Sequence, residues 1–152
     1  VSHFTAREAK QMRSRDALTA PEALVLTMVL VAAADGRMSD REIGTMSGQV
    51  QTLPAFHEFT TDELSQATEA AVKLLNEEDG LKHAGRLVRA ALTPRLRETA
   101  YALACEVIAG DQGSKSASFD MLEFVRAELQ LDPLIATAIE RGVRARHTRV
   151  EA

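Results

Sequence analysis

The stretch VLVAAADGRMSDREIGTM runs from Val29 to Met46 and contains the end of one helix and the start of another. Its first half belongs to an apolar run, ALVLTMVLVAAA (Ala23–Ala34), of about a dozen residues. Asp35-Gly36 then supplies a turn signal. Ser39-x-x-Glu42 has the spacing of a capping box, in which the hydroxyl and the carboxylate satisfy each other's backbone N–H groups. The stretch therefore predicts a buried helix, a tight turn and a second, amphipathic helix.

The same punctuation recurs along the chain. Thr19-Ala-Pro-Glu22 and Thr60-Thr-Asp-Glu63 are further capping-box patterns, and Thr93-Pro94 opens another helix. Apolar residues recur at three- and four-residue intervals: Ile43, Met46, Val50 and Leu53; Leu64, Ala71, Leu74 and Leu75; Leu81, Leu87, Val88 and Leu92; Phe119, Leu122, Val125 and Leu129; Leu134, Ile135, Ala138 and Ile139. No segment alternates with period two. The expected fold is all-α: about seven helices over 20–35, 40–53, 61–78, 80–91, 94–110, 117–130 and 133–146. Residues 1–18 read as a polar, loosely held segment, 19–147 as one helical domain and 148–152 as a tail.

The pattern also repeats internally. At an offset of 76 residues, Ala34-Asp35 falls on Gly110-Asp111 and Ile43 on Phe119. The preceding runs, ALVLTMVLVAAA and AYALACEVIAG, are both nearly continuous in apolar residues. Helices that are apolar all round are buried all round. The repeat predicts two central helices related by a pseudo-twofold, with their Asp-containing loops brought near one another.

Composition sets outer bounds. The 152 residues, 45% hydrophobic and 26% charged, fit one globular domain rather than a disordered chain. The formal net charge is −4, with four basic groups in residues 1–18 and four in 140–152. Between these ends lie ten basic and eighteen acidic groups. An acidic body disfavours nucleic acid and favours cations or basic partners. Cys105 is the only cysteine, which excludes an internal disulfide and a cysteine-based metal site. The longest apolar run falls short of the roughly 20 residues of a membrane span. A reducing cytoplasmic setting is expected.

Two chemical readings of the acids remain open. Asp35 and Asp111 close core helices, where unpaired carbonyls and the negative end of the dipole gather. Asp40 and Glu42 lie in the next helical turn, and Glu106 is the only charge in its apolar run. Such an oxygen-rich locus suits a hard divalent cation, Ca²⁺ or Mg²⁺. Alternatively, Asp35-Gly36 is a turn and Ser39-x-x-Glu42 a cap, with no metal. Glu106, if buried, then needs an Arg or another partner. The spacing is not that of an EF-hand. His3, His57, His83 and His147 are scattered and read as surface or loop residues. PAFHEF (Pro54–Phe59) reads as a short helical turn over the core. No Ser/His/Asp or Cys/His arrangement, phosphate-cradling loop or small-molecule site is legible, so a non-enzymatic role is expected.

The segments AAADGRMSDRE and LRETAYALACEV, with the degenerate second copy, resemble the TerB family of tellurite-resistance proteins. The resemblance spans about residues 20–147. It implies a compact helical domain of about seven helices and an acidic patch that binds a divalent cation. It also implies a role in a membrane-associated stress-response complex of protein partners. Asp35, Gly36, Glu42 and Asp111 match the motif, with Glu106 preceding Asp111. The second copy departs from it: Gln112 stands where Gly is expected, and Ser118 where Glu is expected. Gly113 and Asp120 are the available substitutes.

Overall fold

In a computed structural model the chain is described over residues 17–110 and 116–151. Seven α-helices lie within these residues, and no strand. They are α1 (Ala20–Ala32), α2 (Asp40–Thr52), α3 (Thr61–Leu75), α4 (Gly80–Ala91), α5 (Pro94–Gly110), α6 (Ser116–Leu129) and α7 (Pro133–Arg146). One 3-10 turn, Pro54–Phe56, links α2 to α3. The all-helical expectation is met, and observed boundaries lie within three residues of those read from spacing. The expected N-terminal segment falls, for residues 1–16, outside the described residues.

Local chemistry accounts for the helix starts. Reciprocal capping boxes open α1 at Thr19/Glu22, α2 at Ser39/Glu42 and α3 at Thr60/Glu63. Each satisfies donors that an N-terminus otherwise leaves unpaired. Asp132 caps α7 by accepting from the Leu134 N–H at 2.8 Å. The end of α4 is closed from outside: Arg97 of α5 donates to Leu92 O at 3.1 Å and to Arg89 O at 2.9 Å. The turn from α3 into α4 requires glycine, because a Cβ on Gly80 would lie 2.1 Å from Leu74 O.

The core is built on α1 and α5, which share the most extensive helix–helix interface. Every residue of α1 from Ala23 to Ala32 is buried. In α5, Ala100, Tyr101 and Leu103–Ile108 are buried. From Ala23 onward α1, and from Ala100 onward α5, is almost wholly apolar with no polar face to turn to water, which is why these stretches sit inside. The buried hydroxyl of Thr27 returns its hydrogen bond to Ala23 O at 2.8 Å.

The repeat is visible in the packing. The 76-residue offset sends α1, α2 and α3 onto α5, α6 and α7. Each core helix packs against the third helix of its own half: α1 on α3 and α5 on α7. The second helix of each half also crosses to the other half: α2 packs on α5, and α6 on α1. Helix α4 has no counterpart and packs against α1, α3 and α6.

The helix faces differ by one residue from those expected. Ile43 and Phe119 were expected on the core face, but they are 48% and 52% exposed. Their predecessors Glu42 and Ser118 are buried instead. The inward row of α2 is Glu42, Met46 and Val50, and that of α6 is Ser118, Leu122, Val125 and Leu129. Polar side chains occupy the inward positions because each serves a helix terminus. Leu134 and Ile135 of α7 and Leu81 of α4, also expected inside, are exposed. No helix among the described residues is long and apolar enough to cross a membrane.

Candidate functional site

The first loop is a turn built from its own atoms. The Gly36 N–H donates to Ala33 O at 3.0 Å, and the Arg37 N–H donates to Asp35 Oδ1 at 3.3 Å. Gly36 has φ 105°, in the region that glycine reaches without strain. Asp35 and Asp40 are exposed to solvent. Asp40 lies in the first turn of α2, where the helix dipole favours an acid.

Glu42 is only 4% exposed. Its Oε1 accepts from the Ser39 N–H at 2.7 Å, and its own N–H donates to Ser39 Oγ at 3.1 Å. The capping role read from the spacing is therefore present in full. In the second half, Ser118 Oγ donates to Val31 O at 3.3 Å, across 87 residues. The start of α6 thus meets the end of α1. The end of α5 meets α2 in the same way: a Cβ on Gly110 would lie 3.0 Å from Thr45 Oγ1. The C-terminal ends of both core helices therefore lie toward one end of the molecule. Asp111 falls outside the described residues.

Glu106 is 8% exposed, near the C-terminal end of α5. Its Oε1 accepts from Arg146 Nε at 2.7 Å, and its Oε2 lies 2.7 Å from His147 Nε2. Both partners stand at the C-terminus of α7, where cations also suit the dipole. The partner that burial demanded is thus a side-chain pair of this chain. His147, read as a surface or loop residue, lies exposed in the turn after α7, and its ring there faces Glu106. The available signal was one charge in an apolar helix, with Arg144, Arg146 and His147 at the end of another.

One turn back along α5, Tyr101 donates from its hydroxyl to Glu140 Oε1 at 2.5 Å. The Tyr101–Glu140 and Glu106–Arg146/His147 contacts advance along both helices together, so α5 and α7 run parallel. Burial pushes the Tyr101 hydroxyl above its ordinary range, and the bond to Glu140 adds to this. Burial likewise pushes the Cys105 thiol up to about 12, with Glu140 and Glu106 acting in the same direction. Such a thiol stays protonated and is a poor nucleophile.

Among the described residues, no three His, Cys, Asp or Glu side chains form a group that could hold a metal ion. Four of the five expected residues lie among those described. Glu42 is engaged as a cap, Glu106 is paired with Arg146 and His147, and Asp35 and Asp40 face solvent. PAFHEF does form the helical turn expected of it, with Phe56 buried and its ring 5.8 Å from that of Phe59. Comparison with protein-family models, with curated proteins and with solved structures found no match to this chain.

Proposed function

We propose that the chain is a non-enzymatic helical interaction module, serving a stress-response system of the tellurite-resistance kind that its sequence resembles. The supporting observation is the engagement of its buried carboxylates: Glu42 with Ser39, and Glu106 with Arg146 and His147. A buried acid already matched by protein donors stabilises a fold without needing a ligand. In this reading Asp35, Gly36, Ser39 and Glu42 are turn and cap residues. Ile43 and Phe119 offer large apolar side chains at equivalent places in the two halves. Exposed Asp40 precedes Ile43 by three residues and exposed Asp120 follows Phe119 directly, which suits protein partners with apolar and basic groups. A reducing cytoplasm and a membrane-associated complex of protein partners belong to the same reading.

A divalent-cation site between the Asp35 loop and Asp111 is the second reading. It is favoured by the contacts of Ser118 with the end of α1 and of Gly110 with α2, which set both core-helix C-termini toward one end. Calorimetric titration of metal-stripped protein with Ca²⁺ and Mg²⁺, beside Asp35→Ala and Asp111→Ala, separates the two. The module reading expects no binding heat at millimolar metal with the fold intact. Heat that disappears in both variants would establish the cation site instead.

A further inference from the structure

Helix α7 is attached differently from the other helices. Its one substantial interface is with α5, whereas α3, its counterpart in the first half, packs against α1, α2 and α4. Of its 14 residues only Ala136 and Val143 are buried, with Ile139 partly so. Leu134 remains 80% exposed. The rest of the seam is polar: Tyr101 on Glu140, then Glu106 on Arg146 and His147. The Arg146 side chain is 70% exposed, so salt screens its attraction to Glu106. Cys105, 6% exposed, lies one helical turn from Tyr101 on the same face of α5, within electrostatic reach of Glu140.

We propose that α7 is a releasable arm, pinned to α5 at Glu106, and that it swings away as a unit while α1–α6 stay folded. Segments with few buried apolar contacts open at lower free energy than the global fold. Here α7 is held through one extensive interface, in which Ala136 and Val143 are joined by polar contacts at the edge of the molecule, and losing Glu106 removes the charged anchor of that single interface. Release uncovers the Tyr101–Cys105 face of α5, a surface otherwise closed to partners. This inference is independent of the interaction-module reading. Its test follows one thiol and involves neither metal nor partner.

The experiment is the reaction of Cys105, the only cysteine, with a small aromatic disulfide reagent under native conditions. It compares the wild type, Glu106→Gln and Arg146→Gln in low and high sodium chloride and in sub-denaturing urea. The expected result is labelling that is nearly insensitive to low urea, about tenfold faster in Glu106→Gln, and faster in the wild type at high salt. Arg146→Gln, altering a mostly exposed side chain, keeps the test available if Glu106→Gln does not fold; about threefold faster labelling is expected. Labelling with the full urea dependence of global unfolding, or at equal rates in all three proteins, would overturn the proposal.

Discussion

The two halves of the molecule share a helical plan but secure it by different chemistry. At the start of its second helix, the first half buries a carboxylate, Glu42, closed on its own cap. The second half buries a hydroxyl, Ser118, which reaches the end of α1. The third helices differ more. α3 is wedged among α1, α2 and α4, while α7 rests on α5 through a tyrosine–glutamate contact and a glutamate–arginine–histidine cluster. A repeat thus conserves the packing plan while leaving each half its own polar solution. The acid expected at position 118 is replaced there, and the charge that matters in the second half is Glu106.

The largest expected effect sits where both halves meet. Leu24 of α1 is wholly buried, and Leu24→Ala should lower stability by about 2–5 kcal/mol in urea denaturation. Leu134→Ala on α7 should change it by less than about 0.5 kcal/mol. Comparable losses at the two positions would break the contrast between an apolar centre and a polar periphery. Next comes Glu106→Gln, with an expected loss of about 1–2 kcal/mol. That is below a fully buried pair, because Arg146 is largely exposed. The loss should shrink in high salt. Ser39→Ala, removing one bond of the α2 cap, should cost about 1 kcal/mol in the same assay. Gly36→Ala should cost about as much, because φ 105° is unfavourable to a residue with a Cβ.

The alkaline limb sharpens the account of the α5–α7 seam. Cys105 and Tyr101 hold their protons more tightly in the fold than in the unfolded chain. Between the ordinary thiol value of 9.0 and about 12, the unfolded chain releases the Cys105 proton while the folded chain keeps it. Stability should therefore be unaffected by this group below pH 9 and should fall as pH rises through that window. Cys105→Ala should flatten the fall measured by urea midpoints from pH 8.5 to 11.

Much of this architecture was legible because it rests on local rules. Thr19, Ser39 and Thr60, each followed three residues later by Glu, marked three helix starts that the structure reproduces. Continuous apolar runs marked α1 and α5 as central, whereas the crossing of α2 and α6 between halves shows only in the packing. Failures arose where tertiary contact overrode periodicity. Ile43 and Phe119 fit an apolar stripe, yet they yield the inward position to Glu42 and Ser118, whose bonds serve helix ends. The partner of Glu106 lies 40 residues away in sequence, at Arg146. No local pattern joins them; only the parallel packing of α7 on α5 does.

The central claim is that Glu106 is neutralised from within the fold. Its most direct test is a double-mutant cycle on Glu106→Gln and Arg146→Gln, read by urea denaturation in chelated buffer and again with millimolar Ca²⁺. The account predicts a favourable coupling of about 0.5–1.5 kcal/mol between the two side chains, unchanged by the cation. Zero coupling, together with a stability gain from Ca²⁺ that Glu106→Gln abolishes, would contradict it and make Glu106 a cation ligand.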